Sequence, residues 1–138
     1  KNTYELAPDF RKGTIQSWHQ DGIFFARMGM TAEAADYNTR KLQDSQRRYP
    51  TFWGPGHDWV PDHNWGGSGM IGLQEMLMQT IGDKILLFAS WPEEWDVDFK
   101  LHAPGNTTVV GELRNGELIE LRVLPENRRK DVIVHLKQ

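Results

Sequence analysis

Residues 69–89 read GMIGLQEMLMQTIGDKILLFA, and within this stretch the hydrophobic pattern changes from a helical to an extended period. Up to residue 81 the apolar side chains recur every three or four positions, which predicts a helix over 69–81 with Gly82 as its C-terminal cap. The run KILLFA that follows is typical of a short buried strand over 84–89. The side chains that the predicted helix would bury are Met70, Leu73, Met76 and Leu77.

The residues that precede this stretch also have helical patterns. Apolar side chains within residues 15–28 spread almost all around a helical wheel, which predicts a helix buried on more than one side and ended by Gly29. Thr31 is expected to cap a second, more polar helix over 32–46. The thin apolar stripe of that second helix consists of Ala34, Tyr37 and Leu42.

The residues that follow alternate between apolar and polar side chains, as strands with one buried face do. Asn115-Gly116, between two such runs, is a strong signal for a type I′ hairpin turn. Because helices and strands occupy separate blocks, the sequence predicts an α+β fold with an antiparallel β layer. The predicted strands are 84–89, 95–102, 107–114, 117–124 and 131–136. The tryptophans expected to pack in the core or between the two blocks are Trp18, Trp91 and Trp95.

The composition excludes several classes of function. The net charge is −3 at pH 7, so the chain lacks the basic field that nucleic-acid binding requires. It has no cysteine, which removes thiol catalysis, disulfides and zinc–thiolate sites. No apolar run approaches the ~18 residues of a membrane span. The sequence begins Lys-Asn-Thr, with neither an initiator methionine nor a signal peptide, so we expect a chain processed or excised from a larger one.

A segment rich in tryptophan and glycine, residues 47–68, separates the second and third predicted helices. Each of its glycines forfeits about 0.5–1 kcal/mol relative to alanine when ordered, and a plain connector needs no such composition. Flat aromatic faces beside carboxylates and amides suit a sugar-binding or sugar-cleaving pocket. Trp59 and Trp65 would stack on sugar rings, or would form the small core of the loop itself. The side chains expected to hydrogen-bond sugar hydroxyls, or the loop backbone, are His57, His63 and Asn64.

Asp62 is the strongest candidate for a catalytic residue. It follows Pro61, whose ring stiffens the backbone, so its carboxylate can be aimed at a water or an amide. The same position also suits an Asp that caps a turn. The spacing of the histidines and aspartates in this segment fits no metal-binding motif, and we predict neither a metal nor a cofactor. Glu75 is expected to face solvent or cap a neighbour rather than act as a general acid.

Three short runs of the sequence carry a resemblance to a known family. They are the run Asp62, His63, Asn64, Trp65, Gly66 and Gly67, then EMLMQT at residues 75–80, and LLFASWP at residues 86–92. In this order they resemble the end of the catalytic domain and the following β domain of glycoside hydrolase family 95, the inverting alpha-L-fucosidases and alpha-L-galactosidases. The likeness covers residues 15–95 and continues loosely over the remaining strands. His63 stands where the family has glycine.

The resemblance implies that residues 1–82, with the active-site loop 47–68, are the last helices of a six-hairpin α/α barrel. Residues 83–138 would form a C-terminal antiparallel β domain, a partial sandwich. Asp62 would polarise an asparagine that activates water, and that asparagine and the general acid would lie upstream, outside this chain. An inverting enzyme holds its acid and base about 6.5–9.5 Å apart, so one loop cannot supply both. The implied enzyme is bacterial and exported, periplasmic or at the cell surface, and acts on an oligosaccharide or glycan; this chain by itself would be inactive.

A second hypothesis places the chain in a different class of protein. It would be a non-catalytic carbohydrate-binding or structural module, with the strands as a lectin-like sandwich and the tryptophans as its platform. Such a module would bind a sugar without any turnover.

Overall fold

The computed structural model describes residues 19–43 and 63–136, the first three residues of the second range by their backbone alone, and shows a mixed α+β fold. In the described residues the helices come first: α1 (Asp21–Arg27), α2 (Thr31–Leu42) and α3 (His63–Leu77). The strands follow: β1 (Met78–Ile81), β2 (Lys84–Leu87), β3 (Val97–Ala103), β4 (Thr107–Arg114), β5 (Glu117–Leu124) and β6 (Val132–Val134). A 3₁₀ helix, Glu126–Asp131, leads into β6. The predicted order of a helical block and then a strand block is confirmed.

The first two helices agree with their local sequence signals only in part. Gly29 has φ +69° and stops α1, as predicted. Thr31 does not cap α2 as predicted, because it is the first helical residue and the capping position belongs to Met30. The predicted end near residue 46 is also wrong, because Gln43 is already extended, with φ −66° and ψ 147°. Trp18 and the first residues of the helix predicted over 15–28 lie outside the described residues.

The helix predicted over 69–81 is wrong at both of its ends. α3 stops at Leu77, and the next four residues form β1, which pairs antiparallel with β2 from Met78↔Leu87 to Ile81↔Lys84. Gly82, with φ +56°, lies in the tight turn of this hairpin and caps no helix. Backbone pairing with β2 outweighs the helical spacing of the apolar side chains, as tertiary context often does. The predicted boundary between residues 82 and 83 falls in this turn and stays a prediction.

The N-terminal half of α3 is helical where the sequence predicted a glycine-rich loop. Gly66, Gly69 and Gly72 recur every three residues along α3 and are all buried. A Cβ on Gly69 would lie 3.2 Å from Leu42 Cδ2 and 3.4 Å from Lys41 Cβ, both on α2. These glycines therefore allow two helices to approach closely instead of making a turn. Met70, predicted to be buried, falls beside this stripe and is 62% exposed.

The strands form two sheets of three strands each, with the orders β1-β2-β6 and β3-β4-β5. The second sheet is antiparallel throughout, and its β4–β5 turn has the positive φ values of a type I′ hairpin, 50° at Asn115 and 77° at Gly116. The first sheet corrects the prediction of a wholly antiparallel layer, because β6 pairs parallel to β2. The 3₁₀ helix between β5 and β6 carries the chain from one sheet to the other, which makes the parallel arrangement possible.

Two hydrophobic cores lie side by side. One is formed by side chains of both sheets and the other by side chains of the three helices, and Trp91 packs against both. Trp95 packs against the helical core, so the predicted packing role of these two tryptophans is confirmed. The carbonyl of Ala26 at the end of α1 accepts hydrogen bonds from Ser90 Oγ at 2.5 Å and Gln79 Nε2 at 3.0 Å. These contacts join the helical layer to β1 and to the segment that leads into β3.

Candidate functional site

Half of the residues predicted for the site lie outside the described residues. These are His57, Trp59 and Asp62, together with most of the segment 47–68. His63, Asn64 and Trp65 form the first turn of α3, and only their backbone is described. The structure therefore places the start of α3 directly after Asp62 in the sequence, and the described side chains that surround this start define the candidate site.

A buried lysine lies beside the first turns of α3. Lys41, on the last turn of α2, is only 1% exposed. Its Nζ donates to the backbone carbonyl of His19 and to Ser68 Oγ, each at 2.6 Å, and lies 5.7 Å from the ring centroid of Tyr37. A buried ammonium group is costly unless its protons are hydrogen-bonded, and these acceptors together with the ring supply that compensation.

A second set of polar contacts adjoins the lysine at the start of α1. Asp21 Oδ2 accepts a hydrogen bond from Tyr37 OH at 2.9 Å and lies 3.5 Å from His19 Nδ1. Asp21 is in the first turn of α1, where the helix dipole favours a carboxylate. Burial, and then the hydrogen bond to Asp21, raise the pKa of Tyr37 above its ordinary value, so the phenol remains a neutral donor.

We call these five residues the lysine cluster: His19, Asp21, Tyr37, Lys41 and Ser68. The cluster joins the start of α1, the end of α2 and the first half of α3. Ser68 follows Asn64 by four residues, so the two occupy the same face of α3. The cluster therefore lies on the side of α3 to which one predicted site residue, Asn64, belongs.

The lysine cluster rests on a closely packed part of the helical layer. Asn38, one residue after Tyr37, is 1% exposed and donates from Nδ2 to Met76 Sδ at 3.3 Å. Its carboxamide occupies the space that a Cβ on either Gly22 or Gly72 would need, at 2.8 Å and 2.6 Å respectively from Asn38 Cγ. The positions of α1, α2 and α3 are thereby fixed relative to one another, and the polar groups above them are held rigidly.

Glu75 forms an ion pair with a residue of α1. Its Oε1 accepts from Arg27 Nη2 at 2.8 Å, and its side chain is 16% exposed. The contact links α1 to α3, so the predicted alternative in which Glu75 faces solvent is wrong. The prediction that Glu75 is not the general acid stays a prediction.

Sequence reasoning did not identify the lysine cluster. The position of Lys41 is a signal, because it lies four residues after Tyr37 and seven after Ala34, on the buried stripe of α2. A lysine on such a stripe has to find hydrogen-bond acceptors. Within residues 19–43 and 63–136, no three acidic or histidine side chains come together in a way that could hold a metal ion.

No protein-family model matches this chain, and neither a curated protein nor a solved structure shows significant similarity to it. Among the described helices, none combines the length and the apolar character needed to cross a membrane.

Proposed function

We propose that this chain is the C-terminal part of an exported glycoside hydrolase that cleaves alpha-L-fucosides or related glycosides with inversion of configuration. Asp62 is the carboxylate that, through an asparagine supplied upstream, activates the attacking water. The helices α1 to α3 are the last helices of an α/α barrel. The general acid also lies upstream, and a glycan is the substrate.

The observation that supports this proposal is the start of the 15-residue helix α3 directly after Asp62 in the sequence. A carboxylate that takes part in water activation has to be ionised at working pH. The positive end of a 15-residue helix favours the ionised form of an acid that immediately precedes that helix. The rigid packing of Asn38 against two glycines keeps this arrangement in place.

Exposed apolar side chains on the helices support the presence of further helices in the complete protein. Phe24 and Met28 on α1 are 54% and 51% exposed, and Met70 and Ile71 on α3 are 62% and 52% exposed. Apolar side chains of this size on two neighbouring helices are typical of a surface that another element covers. The upstream part of the same polypeptide is the proposed covering element, as an α/α barrel requires.

Hydrolysis of aryl alpha-L-fucosides and alpha-galactosides by the full-length protein tests the proposal. Asp62→Asn should lower kcat/KM by about 10²- to 10⁴-fold, the range expected for loss of general-base catalysis. The anomer released first, observed by NMR, should be the inverted one. Asp98→Asn is the matched control, because Asp98 lies on the exposed surface of β3 with its side chain 68% exposed.

Two outcomes would contradict the proposal. Equal rates for Asp62→Asn and the wild-type protein would make Asp62 a structural residue. Sugar binding with no turnover on any glycoside would favour the non-catalytic carbohydrate-binding module.

A further inference from the structure

A groove of about 660 Å³ runs between the helical layer and the segment that leads into β3. Thr39, Leu42 and Gln43 at the end of α2 line one side, and Leu73 of α3 forms part of the floor. Trp91 and Trp95 line the other side. The volume lies within the range of ligand pockets, which often occur where two layers of a protein meet.

The two tryptophans of this groove are held in a fixed arrangement. Their ring centroids are 5.4 Å apart and their ring planes meet at 84°, an edge-to-face arrangement. Trp91 Nε1 donates to the backbone carbonyl of Trp95 at 2.9 Å. Both side chains are only partly buried. Because the rings are already ordered, a ligand that packs on them loses little affinity to the immobilisation of side chains.

The described polar side chains at the rim of the groove are either neutral or negatively charged. Glu94 and Asp96 lie on the tryptophan side, and Thr39 and Gln43 lie on the helical side. Asp96 Oδ1 accepts the backbone N–H of Asn115 at 2.7 Å, which fixes the position of this carboxylate. Among the described residues that line the groove, the charged side chains are the carboxylates of Glu94 and Asp96, which disfavour an anionic ligand.

We propose that this groove binds a neutral saccharide unit. A pyranose has apolar C–H faces and a rim of hydroxyl groups. The groove offers indole and aliphatic side chains on which those faces can pack, and carboxylate, amide and hydroxyl groups that can hydrogen-bond the hydroxyls. The carboxylates accept hydrogen bonds from the hydroxyls, and the Gln43 amide donates to a ring or hydroxyl oxygen. The inference rests on the proposed function in one respect: the unit bound belongs to the glycan that is cleaved.

The test uses the full-length protein labelled with 5-fluorotryptophan and followed by ¹⁹F NMR. The resonances of Trp91 and Trp95 are assigned with the Trp91→Phe and Trp95→Phe variants. Neutral galactose- and fucose-containing oligosaccharides should shift both resonances in a saturable way, and oligosaccharides of uronic acids should not. Gln43→Ala and Thr39→Val should each weaken binding of the neutral sugar by about 3- to 10-fold, as expected for one lost hydrogen bond.

A matched substitution tests the role of the rim charge. Glu94→Gln keeps the shape of the side chain and removes one negative charge, so it should raise the affinity for uronic acid oligosaccharides. Asp98→Asn, which removes a carboxylate outside the groove, should leave both affinities unchanged. Affinities for uronic acid oligosaccharides that are equal in the two variants would overturn the charge argument.

Failure of this inference and failure of the proposed function give different results. If Asp62→Asn abolishes hydrolysis but no neutral sugar shifts the two resonances, the groove is not a sugar site, and the proposed hydrolase function is still supported. If both resonances shift and Asp62→Asn hydrolyses at the wild-type rate, the groove stands and Asp62 has no catalytic role. Tighter binding of choline than of any sugar would assign the groove to an organic cation and overturn the inference.

Discussion

The helical layer and the β3-β4-β5 sheet bury their side chains by different means. In the helical layer, fully buried positions include Asn38 and Lys41, each 1% exposed, and the helices approach one another through glycines. In the sheet, most of the fully buried positions are apolar, with Val109 and Leu113 at 0% exposure and Thr107 as the polar exception. Packing in the sheet depends mainly on the apolar area that is buried. Packing in the helical layer depends on hydrogen bonds, and on glycines at positions where a Cβ would clash with a neighbouring helix. The candidate site belongs to the helical layer.

The largest expected effect on stability concerns the apolar core of the β3-β4-β5 sheet. Leu113→Ala should lower the free energy of unfolding by about 2–5 kcal/mol, because it removes a fully buried side chain and leaves a cavity. Ile119→Ala, on β5 of the same sheet, should cost much less, because Ile119 is 58% exposed. Urea denaturation measures both free energies. Similar losses for the two variants would contradict an area-driven core.

The next largest effect concerns the helical layer, where one added methyl group should disturb the packing of the helices. Gly72→Ala places a Cβ 2.6 Å from Asn38 Cγ and should destabilise the protein by about 1–3 kcal/mol, as overpacking does. Gly67→Ala on the same helix meets no atom within 4 Å and should stabilise the protein by up to about 1 kcal/mol, because alanine is the better helix former. Thermal unfolding of the two variants should therefore shift in opposite directions. Shifts of the same sign would show that the glycines do not set the helix spacing.

A third prediction sharpens the comparison through pH. Tyr37 has an ordinary pKa of 10.0, and burial raises that pKa in the folded chain. Below pH 10 the phenol is protonated in both states, so its contribution to stability is fully present. Above pH 10 the unfolded chain binds fewer protons than the folded chain, so the free energy of unfolding falls by up to about 1.4 kcal/mol per pH unit.

Urea denaturation of the wild-type protein and of Tyr37→Phe between pH 8 and pH 11 measures this effect. The variant should lose stability less steeply above pH 10, while the slopes of the two proteins near pH 8 should agree. Parallel curves over the whole range would mean that the Tyr37 phenol is not protected by burial and by Asp21.

The smallest expected effect concerns the surface of the sheet. Arg114 Nη2 lies 2.5 Å from Asp98 Oδ2, and this hydrogen bond raises the pKa of Arg114. Both groups are reached by solvent, which screens their attraction, so Asp98→Asn should leave the unfolding midpoint unchanged. A clear loss of stability would show that charged contacts contribute on the sheet as they do in the helical layer.

The agreement between sequence and structure depends on how local each signal is. The Asn115-Gly116 hairpin was predictable because two adjacent residues with positive φ determine that turn. The helical role of Gly66, Gly69 and Gly72 was not predictable, because it depends on side chains of α2 more than 20 residues away. In the same way, the helical spacing of the side chains predicts a helix over the residues of β1. Backbone pairing with β2 outweighs that spacing in the folded chain.

The candidate site shows the same division. Asp62 was selected on its immediate neighbours in the sequence, and its proposed role follows from those neighbours and from a family resemblance. The lysine cluster was missed because its members come from residues 19–21, 37–41 and 68, and only the packing of three helices brings them together.

The amino-acid sequence alone determined the order of a helical block followed by strands, the position of the Asn115-Gly116 turn and the negative net charge. These properties depend on periodicity, on backbone dihedral preferences and on composition, all of which act over a few residues or over the chain as a whole. Tertiary structure alone decided the end of α3, the parallel pairing of β6 with β2, the burial of Lys41 and the groove beside Trp95. Each of these depends on contacts between residues distant in the chain, whose free energies exceed the local preferences that a sequence displays.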